Sequence, residues 1–188
     1  IDVPMYFVYR GGYHAVPPGL TFRAFMRDGW NGQHATREDW ALHLSTLFPE
    51  GRLKKFIEVR GCDCGSMPMI EALAPMMRGL LYDPSARAAA TALTANLSFE
   101  ERQRLADDVA RAGLAARAGT HTIGELAKQL VAIARDGLTR VAPASLPLLA
   151  PVEEIASSGR TQSDHILDIW QRHAGNRAAL IAALEHQL

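Results

Sequence analysis

The stretch Arg52-Leu-Lys-Lys-Phe-Ile-Glu-Val-Arg-Gly-Cys62 decides the β part of the fold. Side chains alternate between the two faces of an extended strand, with a rise of about 3.4 Å per residue. If the whole stretch is one strand, its even positions place four charges on one face: Arg52, Lys54, Glu58 and Arg60. The odd positions form a mostly aliphatic face, suited to packing beneath helices, with Leu53, Ile57 and Val59.

Two interpretations of the charged face remain open from the pattern alone. Glu58 and Arg60 are two residues apart and point to the same side, so the carboxylate could bind Mg²⁺ while the guanidinium reaches phosphoryl oxygens. A solvated sheet face with cross-strand ion pairs would show the same alternation. The spacing of these residues does not choose between the two.

Secondary-structure signals continue on both sides of this stretch. Upstream, two β-type runs around a Gly-Gly pair predict a hairpin, and two Thr-capped helices follow: residues 5–10 with 13–16, then helices after Thr21 and Thr36. Downstream, Ala-rich and amphipathic runs with capping boxes predict helices over 69–82, 86–97, from Ser98, from Thr122, and over 152–157, 163–172 and 177–187. The fold class expected is α+β, with an antiparallel sheet portion in residues 1–65 and a helical region in 66–188.

Composition limits the classes of function. Hydrophobic residues make up 48% and charged residues 21%, which argues against disorder. Twenty basic residues balance twenty acidic ones without a basic cluster, so no nucleic-acid or membrane-surface role is indicated. No apolar run approaches the roughly 18 residues that suggest a membrane span.

The cysteines and the first residue give two further expectations. Cys62 and Cys64 are too close together for an ordinary disulfide framework, and no secretory signal precedes them. We therefore expect free thiols and a cytoplasmic location. The chain opens on Ile1 rather than Met, so we expect a fragment or a processed product.

A longer run around the charged stretch carries a family signature. Residues 43–63 read H-L-S-T-L-F-P-E-G-R-L-K-K-F-I-E-V-R-G-C-D. This resembles the signature of plant and proteobacterial glutamate–cysteine ligases, H-L-T-T-[LI]-F-P-E-V-R-L-K-[RK]-[YF]-[LI]-E-[MV]-R-G-A-D. Other segments are similar in order and spacing, so the resemblance covers most of residues 2–170 and corresponds to the C-terminal portion of the ligase: 2–10, 21–25, 79–83 and 133–138.

The resemblance implies a fold related to glutamine synthetase, in which a curved antiparallel sheet binds ATP, metal ions and glutamate on its concave face. It implies an ATP-dependent ligase of glutathione biosynthesis, which phosphorylates the γ-carboxylate of glutamate and transfers the γ-glutamyl group to the amine of cysteine. Glu58 is then expected to bind Mg²⁺ and Arg60 to stabilise the phosphoryl charge.

The resemblance also suggests residues for substrate binding. Arg10 ends the strand that matches the substrate strand of the family, on the same face as Tyr6, and could pair with a substrate carboxylate. Arg52 and Lys54 share the face of Glu58. They are expected either to contact phosphate or to act as structural ion-pair partners.

Departures from the family pattern leave the function open in two ways. After Asp63 the family reads G-G-P-W-R-R, whereas this chain has Cys64-Gly-Ser-Met-Pro-Met69. An amine acceptor other than cysteine therefore stays open, as does a catalytically inactive binding or regulatory module. The family's other metal-binding carboxylates lie in an N-terminal half, which we expect as a partner of this chain. A homodimer is also compatible with the sequence.

Overall fold

The computed structural model describes residues 1–63 and 65–185. They form two compact units, Ile1–Cys62 and a second that begins at Asp63. Helices combine with short antiparallel strands, which confirms the α+β class. The functional division placed after residue 65 stays a prediction, and the final residues of the last predicted helix lie outside the described part.

The first unit contains two hairpins and two helices. In chain order its elements are β1 Phe7–Tyr9, β2 Tyr13–Ala15, α1 Phe22–Asp28, α2 Arg37–Ser45, β3 Gly51–Leu53 and β4 Ile57–Val59. The predicted hairpin around Gly11 is confirmed, and Gly11 adopts a φ of 73° that a residue with a side chain rarely takes. The predicted cap of α1 is confirmed too, since the Thr21 hydroxyl accepts a hydrogen bond from the Ala24 N–H at 3.1 Å.

The core of the first unit lies between the β1–β2 hairpin and α1. Val8 and Phe25 are fully buried there. Met5, Val16 and Phe22 complete the buried cluster, and several partly buried side chains pack against it: Leu20, Trp30, Ala35 and Trp40. Burial of these aromatic and aliphatic groups provides the main stabilisation of this unit.

The predicted single strand over residues 52–62 is wrong. The chain reverses direction after Leu53, and the Lys54 N–H donates to the Phe56 carbonyl oxygen at 2.8 Å. β3 and β4 then pair antiparallel, with Arg52 opposite Glu58. A three-residue turn preserves the alternation of side chains, so the periodicity looked continuous although the chain folds back.

The second unit is helical apart from one short hairpin. Its elements are α3 Met67–Tyr82, α4 Pro84–Thr94, α5 Phe99–Ala112, β5 Arg117–Ala118, β6 His121–Thr122, α6 Ile123–Val141, α7 Ala150–Ser158, α8 Gln162–Arg172 and α9 Arg177–Glu185. Two 3₁₀ helices lie between them, Gly113–Ala115 and Pro143–Leu149. The predicted capping boxes that begin at Ser98 and Thr122 are both confirmed.

Helices α3 and α6 approach each other closely at two glycines. A Cβ atom on Gly79 would overlap the carbonyl oxygen of Ala134, and one on Gly137 would overlap the carbonyl oxygen of Gly79. Neither residue has the positive φ that would itself require glycine. The constraint is therefore close backbone approach between the two helices.

Asp83 fastens the junction between α3 and α4. Its carboxylate accepts a hydrogen bond from the Ala86 N–H at 2.7 Å and caps α4. It also accepts two hydrogen bonds at 2.8 Å from Arg140 near the end of α6. The pKa of Asp83 is held well below its usual range. The largest cause is the hydrogen bond from the Arg140 guanidinium, followed by the one from the Ala86 N–H.

Within residues 1–63 and 65–185, no helix combines the length and apolar character needed to cross a membrane.

Gly137→Ala is expected to lower the free energy of unfolding of the second unit by about 2 kcal/mol or more, because the new methyl group would force α3 and α6 apart. Chemical denaturation followed by circular dichroism measures the change. Lys128→Ala, at an exposed position of the same helix, is the matched control and should change stability by less than about 0.5 kcal/mol. Equal stability of the two variants would contradict the packing argument.

Candidate functional site

The β3–β4 hairpin gathers three cations around one carboxylate. Arg52 Nε donates to Glu58 Oε2 at 2.8 Å, and Arg60 Nη1 donates to Glu58 Oε1 at 3.1 Å. Lys54 Nζ lies 3.7 Å from Glu58 Oε2. The structure thus brings together all four residues predicted for the charged face. Arg52 does so by pairing across the hairpin rather than along one strand.

The charges of this cluster do not cancel. Three cations and one carboxylate leave an excess of two positive charges on one face of the hairpin. The pKa of Glu58 is lowered, mainly by the hydrogen bond from Arg52. The positive charges of Arg52, Lys54 and Arg60 lower it further. Glu58 therefore stays ionised at neutral pH, and the arginine side chains are only 20% and 24% exposed. Such partly shielded cations attract anions more strongly than fully solvated ones.

Arg60 is held by more than its ion pair. Its guanidinium carbon lies 5.2 Å from the centre of the Phe48 ring, within the range of a cation–π contact. Its backbone N–H donates to the Glu50 carbonyl oxygen at 2.8 Å, which extends the hairpin pairing by one step. Arg60 is thus fixed by its side chain and by its backbone.

The described residues suit an anion better than a metal ion. Between residues 1 and 63 and between 65 and 185, no three His, Cys, Asp or Glu side chains form a group that could hold a metal. Mg²⁺ prefers several oxygen ligands, whereas both oxygens of Glu58 accept from arginines and a lysine lies alongside. The surrounding cations would repel a divalent metal. Mg²⁺ therefore does not fit Glu58 with the described residues alone.

Arg10 is engaged in the first unit by a carboxylate that sequence analysis did not single out as its partner. Its two terminal nitrogens donate to the two oxygens of Asp39, at 2.7 and 2.8 Å. Asp39 is 2% exposed and also accepts from the Thr36 N–H at 2.9 Å, which completes the capping box of α2. Arg10 thereby joins the β1–β2 hairpin to α2. Tyr6 lies just before β1 and is largely exposed.

His43 is a buried polar residue whose side-chain nitrogens have no hydrogen-bond partner among the described residues. Its ring stacks on Phe22, with centres 5.3 Å apart, and lies 5.8 Å from Trp40. Burial lowers the pKa of His43, since the charged form would lose its hydration. The sequence indicated His43 only as the first residue of the family signature. That position did not predict that the side chain is buried.

Phe22 and Trp40 also line a surface cleft of about 410 Å³ in the first unit. Its walls are mostly apolar, with Met26 and Ala35 beside the two aromatic rings, and Arg37 stands at the start of α2. A cleft of this size can hold a small molecule.

The thiol of Cys62 is exposed and free, and Cys64 lies outside the described residues.

The fold defines an α+β protein, and the cluster gives it an excess of fixed positive charge on one hairpin. Sites of this class suit phosphate or carboxylate ligands. Residues 1–183 match the sequence profile of glutamate-cysteine ligase family 2 (GCS2). The chain belongs to this family, as the signature in residues 43–63 predicted.

Individual relatives agree with the family match. The chain is 35% identical over 179 residues to glutamate–cysteine ligase A, chloroplastic, of Oryza sativa subsp. indica, covering 92% of this chain and 36% of the relative. It is 34% identical over 178 residues to the chloroplastic enzymes of Brassica juncea and Arabidopsis thaliana, covering 93% of this chain and 35% and 34% of those proteins. The chain thus spans about a third of the length of these relatives.

The same relatives overturn one expectation. They are named as chloroplastic proteins, which contradicts the predicted cytoplasmic location. Two closely spaced cysteines indicate at most a reducing environment, which is not unique to the cytoplasm. The cellular location of a protein is set by targeting segments, which are separate from the folded domain.

Asp39→Asn is expected to destabilise the first unit by about 2 kcal/mol, because the nearly buried Asp39 loses its charge and leaves the partly buried Arg10 without a counter-charge. Chemical denaturation monitored by tryptophan fluorescence measures the change. Asp28→Asn, which breaks the exposed pair with Arg27, is the control and should have little effect. A small effect of Asp39→Asn would leave Arg10 available for another anion.

His43 is expected to make stability depend on pH. The unfolded chain binds a proton on this histidine near the ordinary pKa of 6.5, whereas burial disfavours protonation in the folded state. The free energy of unfolding should therefore be greatest above pH 6.5 and decrease as the pH falls below it. His43→Phe should reduce this slope between about pH 7.5 and 5, whereas His14→Phe at an exposed position should retain it. Equal slopes in both variants would contradict the assignment.

Proposed function

We propose that this chain is the C-terminal part of an ATP-dependent carboxylate–amine ligase that forms γ-glutamylcysteine from glutamate and cysteine. The observation that carries the proposal is the cluster of Arg52, Lys54 and Arg60 around Glu58, which lies within the signature shared with glutamate–cysteine ligases. The other two thirds of the ligase would supply the rest of the active site.

The proposed reaction has two steps. An oxygen of the glutamate γ-carboxylate attacks the γ-phosphorus of ATP, and ADP leaves with the electrons of the broken P–O bond. The amine nitrogen of cysteine then attacks the acyl carbon of the γ-glutamyl phosphate, inorganic phosphate leaves, and the nitrogen loses a proton. Both steps place negative charge on phosphoryl oxygens, so catalysis depends mainly on positioning and fixed positive charge.

Each residue of the cluster has a proposed role in this chemistry. Arg60, held by Phe48 and Glu58, would stabilise the phosphoryl oxygens during transfer. Arg52 and Lys54 would contact the phosphates of ATP. Glu58 would hold the two guanidinium groups in place, because both of its oxygens already accept hydrogen bonds from them.

No step of the proposed reaction is assigned to Mg²⁺. The predicted role of Glu58 as a Mg²⁺ ligand would require further carboxylates, and these would come from the rest of the ligase. The two roles of Glu58 differ in what Glu58→Gln would change. If Glu58 is a metal ligand, Glu58→Gln should raise the Mg²⁺ concentration needed for activity. If Glu58 anchors the arginines, the variant should lower kcat/KM for ATP even at saturating Mg²⁺.

The predicted contact between Arg10 and a substrate carboxylate would have to coexist with Asp39, which takes both terminal nitrogens. Arg10 is 30% exposed, so its outer edge is the part that glutamate could reach. Tyr6, four residues earlier in the chain, is exposed and is proposed as a lesser contact. The geometry favours a structural role for Arg10 over a direct one.

Arg60→Gln in the complete ligase is expected to lower kcat by about 10²-fold or more, because one fixed donor to the phosphoryl group is lost. Release of ADP that depends on glutamate, cysteine and Mg²⁺ measures the effect, and circular dichroism checks the fold. Lys55→Gln is the control, since Lys55 is exposed at the turn and has no ion pair in the cluster.

Other outcomes of this assay favour the alternatives. If the folded wild-type ligase consumes no ATP, the hypothesis of an inactive binding or regulatory module gains support. If ATP consumption requires glutamate and a different amine, the acceptor is not cysteine, as the missing G-G-P-W-R-R segment suggests. Equal activities of the Arg60→Gln and Lys55→Gln variants would contradict the role of Arg60.

A further inference from the structure

The helical second unit contains a groove where α3, α4 and α5 meet. Its volume is about 390 Å³, which is within the range of small-molecule sites. Most of its walls are apolar and come from α3 and α4, with Leu80, Leu81 and Ala90, and from Ala95 just after α4. Leu80 is nearly buried, so this part of the wall belongs to the packed interior of the unit.

Two arginines line the same groove, and the described residues around it include no acidic side chain. Arg87 Nη1 donates to the Leu81 carbonyl oxygen at 2.9 Å, and Arg102 Nη2 donates to the Thr94 carbonyl oxygen at 3.0 Å. Each bond occupies one N–H of a guanidinium fork and leaves other donors for a ligand. Neither arginine forms an ion pair with a carboxylate of residues 1–63 or 65–185.

A structural role of the two arginines accounts for part of their charge. Leu81 and Thr94 lie in the last turns of α3 and α4, and cations stabilise the carbonyl groups at such helix ends. Each helix end carries about half a negative charge, so the two ends offset roughly one of the two positive charges. Roughly one positive charge therefore remains uncompensated beside apolar walls, where a charge acts more strongly than in open water.

We propose that this groove binds a small monocarboxylate with an apolar chain. The carboxylate would accept hydrogen bonds from the guanidinium groups of Arg87 and Arg102, and the chain would lie against Leu80 and Ala90. A single negative charge matches the remaining positive charge, whereas a doubly charged phosphate ester would exceed it. The site uses other residues than the ligase chemistry and is additional to the proposed function.

Isothermal titration of the complete ligase with octanoate tests the proposal. Octanoate should bind at one site per chain. Octanol lacks the charge and acetate lacks the chain, so each should bind about 10-fold or more weakly than octanoate. Absence of octanoate binding, equal binding of octanol, or tighter binding of octyl phosphate would overturn the proposal.

Single substitutions test the two cations. Arg87→Gln and Arg102→Gln should each weaken octanoate binding about 10-fold, because each removes a charged donor and retains a polar side chain. Arg172→Gln is the matched control, since Arg172 is exposed and also donates to a backbone carbonyl oxygen, that of Asp168 at 3.3 Å. Affinity equal to the control in either groove variant would refute the site.

A third substitution blocks the groove and retains both arginines. Thr91 is exposed and lines the groove, so the indole of Thr91→Trp should fill the space meant for the chain and abolish octanoate binding. Circular dichroism shows whether each variant is folded. Undiminished binding to folded Thr91→Trp would mean that octanoate binds elsewhere.

The charged hairpin of the first unit is another place where a carboxylate could bind. Octanoate affinity should be unchanged in Arg60→Gln, and its loss there would assign the ligand to the hairpin and overturn the proposal. ADP release in the same preparations tests the ligase function separately. An inactive ligase that binds octanoate at the groove would refute that function and retain this site, and an active ligase without octanoate binding would do the reverse.

Discussion

The interaction on which the charged face of the β3–β4 hairpin depends is the contact of one carboxylate with three cations among the residues that the structure describes. One carboxylate, Glu58, stands among Arg52, Lys54 and Arg60 on a short hairpin. The carboxylate keeps the two guanidinium groups in register and offsets only one of the three charges. The remaining positive charge on this face attracts an anion and disfavours a divalent metal in the absence of further acids.

Each unit is stabilised by a buried or nearly buried aspartate that performs two tasks. Asp39 caps α2 and binds Arg10, and Asp83 caps α4 and binds Arg140. In both cases a local capping interaction fixes the carboxylate, and an arginine distant in sequence then binds it through two parallel hydrogen bonds. This arrangement satisfies the buried charge and joins two elements of the unit, which explains how Arg10, although expected to bind a substrate carboxylate, can be structural.

The two faces of the β3–β4 hairpin have different requirements. The charged face is partly shielded, and its arginines have defined partners. The apolar face has no cover among residues 1–63 and 65–185, and its backbone edges are open.

The sequence by itself determined the first hairpin, the grouping of four charges and the starts of the helices with a Thr or Ser cap, because Gly-Gly turns, side-chain alternation and capping interactions act over a few residues. It also determined the family, since residues 43–63 carry the signature. Only the tertiary structure decided that the chain reverses after Leu53, because a three-residue turn leaves the alternation unchanged. Tertiary packing also decided that Asp39 takes Arg10 and that Gly79 meets Gly137. These contacts join positions far apart in the chain, and no local pattern encodes which distant group arrives.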